Sequence, residues 1–211
     1  MAETRYITVI DTRLAEGLSE YGVPTVREPI KVDGTTPLAE MMRKIKSAVD
    51  YPRVKIEMLI IAAHGYAERG LDKRAHDGFG MQLCAEDLDM ESVHWFRALE
   101  GQFASRELGI TLLGCGVANQ VRVKTSGGTK MGFGERLCSA IARATMTGVV
   151  AATETQSGFS GVETRRVGGR IKDVPVFRPG SWEGDVFIFT PDGMKTKAPL
   201  GLLDKLVKGT R

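Results

Sequence analysis

The chain has 211 residues, of which 42% are hydrophobic and 26% are charged, so it is long enough to bury a sizeable core as one soluble domain. Its 29 basic and 26 acidic residues leave a net charge of +3, which argues against a nucleic-acid binder with a wholly positive surface. No apolar run approaches the roughly 18 residues that span a bilayer, and the amino-terminal residues lack the pattern of a signal peptide. The cysteines Cys84, Cys115 and Cys138 show no ligand spacing, which indicates free thiols in a reducing compartment and neither a disulfide framework nor a metal site.

Apolar runs of strand length alternate with helical patterns along most of the chain. We predict strands at residues 5–10, 55–63, 108–116, 148–153 and 185–190, and helices at 36–49, 84–103, 132–145 and 199–209. The glycine-rich and arginine-rich stretch 157–184 favours a twisted hairpin. This order predicts a single α/β domain over residues 1–211, with a mostly parallel sheet and helices on both faces. Its core extends to about residue 155, and the basic hairpin, the last strand and the closing helix follow over 156–211.

Two of the buried strands end on reactive side chains beside glycine. The segment "LIIAAHG" ends on His64 and Gly65, and "ITLLGCG" carries Gly114 and Cys115. Adjacent parallel strands deliver their carboxyl ends to one crevice, so we expect the imidazole and the thiol to meet there. A free thiol has a pKa of about 8.5, and a neighbouring imidazole that takes its proton makes it a competent nucleophile. The pattern therefore indicates a cysteine nucleophile with a histidine base.

The glycines beside this pair have a chemical use. Attack on a carbonyl builds negative charge on its oxygen, and main-chain N–H groups stabilise that charge only where the backbone can approach closely. We predict that the N–H groups of Gly65 and Cys115 form this oxyanion hole. The alternative is that Cys115 is a small buried apolar residue and that His64 is a hydrogen-bonded loop residue. Cys84 and Cys138 fall in helical patterns and are predicted to be packing residues.

The two motifs resemble the paired histidine and cysteine blocks of the caspase-like cysteine peptidases of clan CD. Within that clan the chain is most similar to the self-processing peptidase domains of large bacterial toxins, the multifunctional RTX toxins and the clostridial glucosylating toxins. The resemblance covers most of the chain, from the opening strand to the final helix. The caspase signature of QAC followed by glycine is absent, which argues against caspase-like aspartate specificity.

The resemblance implies roles for particular residues. His64 matches the catalytic histidine and Cys115 the nucleophile. In the toxin domains an acidic residue after the first strand supports the histidine, and Asp11 occupies a similar place, although an aspartate there is as often a turn residue or helix cap. The toxin domains cleave after leucine, which implies an apolar pocket, and the loops 66–80 and 117–131 are expected to flank the site and to move.

A basic cluster near the carboxyl end forms a second candidate site. It consists of Arg165, Arg166, Arg170, Lys172 and Arg178, with only Asp173 as an opposing charge. Guanidinium groups pair well with phosphate oxygens, so this cluster favours a compact polyanion. In the toxin domains a similar hairpin binds inositol hexakisphosphate, which implies that the same molecule activates this protein. The alternative is a solvated hairpin whose charges maintain solubility.

Taken together, the sequence predicts a cysteine endopeptidase that processes its own or a joined polypeptide, without a metal or a cofactor for the chemistry. We expect it to act in the bacterial cytoplasm or, after delivery, in a host cytosol, with no nucleic acid and no membrane span. One alternative is a catalytically silent member of the fold that binds a polyanion or a protein. Another hydrolytic or nucleotide-binding α/β enzyme would need GxGxxG, GxxxxGK[ST] or GxSxG, and the chain contains none of these motifs.

Overall fold

The structure is a computed structural model, and it describes residues 3–15, 20–21, 29–49, 53–65, 68–69, 75–76, 78–120, 122–125, 128–154, 156–167, 170–182, 184–199 and 202. A seven-stranded sheet is its central element. The strands are β1 (Glu3–Asp11), β2 (Ile30–Val32), β3 (Val54–Ala62), β4 (Ile110–Leu113), β5 (Val149–Ala152), β6 (Val186–Phe189) and β7 (Lys195–Lys197). Their order is β7-β6-β5-β4-β3-β1-β2, in which β2, β1, β3, β4 and β5 run parallel. β6 is antiparallel to both of its neighbours, β5 and β7. The predicted mostly parallel sheet is confirmed.

The strand order reverses between β1 and β3, which creates a topological switch point. In open sheets of this kind, a crevice forms outside the carboxyl ends of the strands at that point. β3 and β4 are direct neighbours, with Ala62 paired with Leu113, and the Ala63 N–H donates to the Leu113 carbonyl at 3.0 Å. The residues that follow β1, β3 and β4 therefore leave the sheet at the same edge.

Helices cover one face of this sheet. They are α1 (Leu38–Ser47), a 3-10 helix (Ser92–Leu99) and α2 (Gly134–Thr145). Their apolar side chains join one buried cluster with alternate residues of the strands, and each large aliphatic side chain buried in it stabilises the fold by about 1.5–3 kcal/mol. A smaller cluster around Ile10, Met58 and Ile60 lies on the opposite face. Of the helical segments in the described part of the chain, only the single turn Thr12–Ala15, through Leu14, packs there, so the prediction of helices on both faces is confirmed for one face.

The segment predicted as a helix over residues 84–103 begins instead as an irregular turn. Cys84 and Asp87 both have a φ of +61°, in the left-handed region, which is incompatible with a continuous helix. The Asp89 carboxylate then accepts hydrogen bonds from the Glu91 N–H at 2.8 Å and the Ser92 N–H at 2.9 Å. These hydrogen bonds from the backbone to the Asp89 side chain replace the hydrogen bonds of a helix, so helical structure starts only at Ser92.

The basic hairpin is present as a long two-stranded ribbon, Gln156–Val167 paired antiparallel with Arg170–Trp182. Of the predicted closing helix at 199–209, only Pro199 and Leu202 lie within the described residues, and Leu202 is helical. The loops expected to move contain paired strands: Glu68–Arg69 with Ala75–His76, and Arg122–Thr125 with Gly128–Met131. The strand Glu20–Tyr21 pairs with the ribbon, and His64–Gly65 pairs with Met81–Gln82. Among the described residues, no helix has the length and apolar character that a bilayer crossing requires.

Candidate active site

The segments that carry His64 and Cys115 lie against each other. A Cβ added to Gly65 would be 1.9 Å from the Cys115 carbonyl oxygen and 3.0 Å from its main-chain nitrogen. A Cβ added to Gly114 would be 2.9 Å from the Ala63 carbonyl oxygen. Side chains larger than hydrogen do not fit at such distances, so these glycines let the two backbone segments pack closely against each other. The predicted role of the Gly65 and Cys115 N–H groups as an oxyanion hole stays a prediction.

His64 is exposed at the carboxyl end of β3, and its imidazole is held by the main chain. Its Nε2 lies 3.1 Å from the Arg13 carbonyl oxygen. A carbonyl oxygen only accepts hydrogen bonds, so Nε2 carries the hydrogen in this contact. Nδ1 is then the nitrogen of the neutral ring that can take up a proton, and the ring is in the tautomer that a general base requires.

Asp11 ends β1 and is fully buried. Its Oδ1 accepts from the Arg13 main-chain N–H at 3.1 Å and from Arg13 Nε at 2.9 Å, and its Oδ2 accepts from Arg13 Nη2 at 2.7 Å. Oδ2 also accepts from the Cys84 N–H at 2.9 Å. Asp11 was predicted to support His64, and within the described residues its hydrogen bonds reach His64 only through the main chain of Arg13.

Arg13 was not identified from the sequence. A charged pair at i and i+2 directly after an apolar strand, as in "VIDTR", was the available signal. That signal is weak, because aspartate after a strand commonly forms a turn with its own backbone.

Cys115 is partly exposed and opens the turn that follows β4. The Gly116 N–H donates to the Glu154 carbonyl at 2.9 Å, and the Ala118 N–H donates to the Ala152 carbonyl at 2.9 Å. The Thr153 N–H donates to the Asp185 carbonyl at 2.9 Å. The turn with Cys115 is therefore bonded to the end of β5, directly before the ribbon begins.

The other two thiols have a different environment. Cys84 and Cys138 are fully buried, as expected for packing residues, and Cys84 Sγ contacts Met41 Sδ at 3.7 Å. Burial, with a further contribution from the charge of Asp11, raises the pKa of the Cys84 thiol to about 12. Burial likewise raises the pKa of the Cys138 thiol above its usual range. Both thiols are therefore almost entirely protonated at neutral pH.

We expect iodoacetamide to modify Cys115 at neutral pH at least about 100-fold faster than Cys84 or Cys138 in the folded protein. Thiolate is the reactive species, and a thiol with a pKa near 12 is only about 10⁻⁵ ionised at pH 7. Peptide mapping by mass spectrometry over a time course measures the three rates separately. Equal, slow modification of all three cysteines would contradict an activated Cys115, and unfolding in urea should make the rates converge.

The basic residues lie on the ribbon, away from the Cys115 turn in sequence. Backbone pairing sets Arg165 opposite Lys172 and Val167 opposite Arg170, whereas Arg166 pairs with Ile171 and Arg178 with Phe159. Alternate positions of a strand share a face, so positions 165, 170, 172 and 178 fall on one face of the ribbon and 166 on the other. Four of the five predicted polyanion-binding positions are thus on a common face.

No family model, curated protein or solved structure matches the chain. The likeness to the clan CD peptidases therefore stays a prediction carried by the two short motifs around His64 and Cys115. A functional assignment must use the geometry of the residues themselves.

Proposed function

We propose that the protein is a caspase-like cysteine endopeptidase with Cys115 as nucleophile and His64 as general base. The observation that supports the proposal is the backbone contact between Gly65 and Cys115, because it brings the His64 strand end and the Cys115 turn next to each other. Cys115 is also the one cysteine of the three that is partly exposed, whereas Cys84 and Cys138 are buried, which favours it as the residue that meets a substrate.

The proposed reaction begins with transfer of the Cys115 thiol proton to Nδ1 of His64. The thiolate attacks the scissile carbonyl carbon, and the negative charge moves to the carbonyl oxygen, where the N–H groups of Gly65 and Cys115 donate to it. The tetrahedral intermediate collapses with cleavage of the C–N bond, and the Nδ1–H proton goes to the leaving amine. Water then gives its proton to His64 and hydrolyses the thioester, which restores the thiol.

The proposed substrate is a polypeptide, either the protein's own chain or one joined to it, with an apolar residue such as leucine before the cleaved bond. The proposed setting is the bacterial cytoplasm or the cytosol of a host cell. Incubation with a peptide library, with and without inositol hexakisphosphate, tests both the activity and its regulation. Cleavage products that share an apolar residue at their new carboxyl end are expected, and the absence of any product in both conditions would contradict the proposal.

Inositol hexakisphosphate is the proposed activator, bound by the ribbon. Titration calorimetry is expected to show binding, and a ligand present at about 100 times its Kd should raise the free energy of unfolding by about 2.7 kcal/mol, or Tm by several degrees. The double substitution Arg165→Gln with Lys172→Gln removes a cross-strand basic pair and should weaken binding at least about 10-fold. The double substitution Arg43→Gln with Lys46→Gln, at two exposed positions of α1, removes the same number of charges and is the matched control. No heat and no thermal shift with the unaltered protein would remove this activator from the proposal.

A further inference from the structure

A single ion pair links three parts of the chain at the switch point. The Asp11 carboxylate accepts from both the main chain and the guanidinium of Arg13, at 2.7–3.1 Å. The two acceptor oxygens and the planar guanidinium meet in a bidentate arrangement, which is the strongest and most directional ion-pair geometry in proteins. Because Asp11 is fully buried and Arg13 is largely so, with 27% of its side chain exposed, solvent screens this pair less than a surface pair.

The same pair holds the irregular turn at Cys84 from both sides. Asp11 Oδ2 accepts the Cys84 N–H at 2.9 Å, and Arg13 Nη2 donates to the Cys84 carbonyl oxygen at 2.8 Å. Cys84 adopts a left-handed φ of +61°, a conformation that is unfavourable for a residue other than glycine, asparagine or aspartate. The two hydrogen bonds compensate for that conformation, because they satisfy both of its peptide groups.

The third link is to His64. Arg13 lies in the single turn Thr12–Ala15, and its main-chain N–H and its guanidinium are both bonded to one carboxylate. These bonds restrict rotation of the Arg13 peptide groups, so its carbonyl oxygen stays directed at Nε2 of His64. The guanidinium also lies against Gly34, where an added Cβ would be 3.0 Å from Nη1, so its position is limited by packing.

We propose that Arg13 is a positioning residue, whose side chain and its partner Asp11 fix the carbonyl group that orients His64 and hold the Cys84 turn in the same unit. The effect on catalysis rests on the proposed peptidase function, whereas the effect on the imidazole does not. Arg13 reaches the reacting atoms only through His64, so its removal should slow the chemical step and leave substrate binding nearly unchanged.

Arg13→Lys is the most informative variant. Lysine keeps the positive charge beside Asp11 but lacks the guanidinium group that donates to both the Asp11 carboxylate and the Cys84 carbonyl. Long-range ¹H–¹⁵N correlation spectra, recorded where the imidazole is neutral, report which ring nitrogen of His64 carries the hydrogen. The unaltered protein should show the Nε2–H form alone, and Arg13→Lys should show a mixture of tautomers. A spectrum of the His64→Gln variant contains only the signals of the other two histidines, His76 and His94, and so identifies the signal of His64.

The reactivity of Cys115 provides the second readout. Arg13→Lys should lower both the alkylation rate of Cys115 and kcat by about 10-fold to 100-fold, with KM changed less than about two-fold. Arg43→Lys, an exposed arginine 3.8 Å from Glu40 on α1, is the matched control and should change none of these quantities. Circular dichroism and Tm establish that each variant is folded. If Arg13→Lys does not fold, the same measurements are made on Asp11→Asn.

The outcomes separate the two proposals. Two results would overturn the positioning role. The first is an Nδ1–H tautomer of His64 in the unaltered protein, and the second is an unchanged tautomer in a folded Arg13→Lys variant. A tautomer that responds as expected in a protein that cleaves no peptide would support the positioning role and remove the peptidase function.

Discussion

Cys115→Ala is expected to abolish peptide cleavage, with a fall in kcat/KM of about 10⁴-fold or more. Without the sulfur no thioester forms, and only binding and the oxyanion hole contribute to the rate. His64→Ala should reduce the rate to a similar extent, and the double variant should be little worse than either single one, because the two side chains act as one unit. Rates with the best peptide from the library measure all three variants.

Cys138→Ala is the control for the loss of a thiol. Cys138 is fully buried in α2, so alanine there removes a packing group and is expected to lower Tm slightly while kcat/KM stays unchanged. Full activity of Cys115→Ala, or loss of activity in a folded Cys138→Ala variant, would contradict the assignment of the nucleophile.

Gly65→Ala is expected to damage both the fold and the reactivity of Cys115. The new Cβ would be 1.9 Å from the Cys115 carbonyl oxygen, so the two backbone segments must separate. Substitutions that force such a change cost more than the usual 0.5–3 kcal/mol, and we expect a loss of roughly 3 kcal/mol or more in the free energy of unfolding. A displacement of about 1 Å at the site should also slow Cys115 alkylation about 100-fold.

Gly148→Ala separates the two effects. A Cβ at Gly148 would be 1.8 Å from the Glu107 carbonyl oxygen, so the clash is of the same kind, but it lies at the amino end of β5. Urea unfolding should show both variants destabilised, whereas only Gly65→Ala should slow the alkylation of Cys115 in the folded state. Equal alkylation rates in the two folded variants would indicate that the Gly65 contact has no part in the reactivity of the thiol.

The sheet and the meeting of the two motifs could be predicted because they depend on local patterns. The apolar runs that became β3 and β4 differ from the observed strands mainly at their ends, since an apolar run marks burial and not where pairing stops. Two neighbouring parallel strands necessarily deliver their next residues to the same edge. These two facts were enough to predict that the segments with His64 and Cys115 lie next to each other.

The features that were not predicted depend on partners distant in sequence. The helix predicted over residues 36–49 starts instead at Leu38, whose N–H donates at 2.9 Å to the carboxylate of Glu86, forty-eight positions away. The turn at Cys84 depends in the same way on Asp11, seventy-three positions away. Edge strand β2 has only three residues, which is too short a segment for a periodic pattern.

The bonds at the base of the ribbon determine where the chain tolerates a change in length. Both strands of the ribbon could gain or lose residues at the tip, between Val167 and Arg170, without altering the hydrogen bonds that Ala152 and Glu154 accept from the Cys115 turn. An insertion or deletion between Ala152 and Glu154 has the opposite effect. It would change which carbonyl groups face the Gly116 and Ala118 N–H groups, and so reorient the turn that carries Cys115. Homologous chains should therefore keep an invariant spacing between β5 and the root of the ribbon.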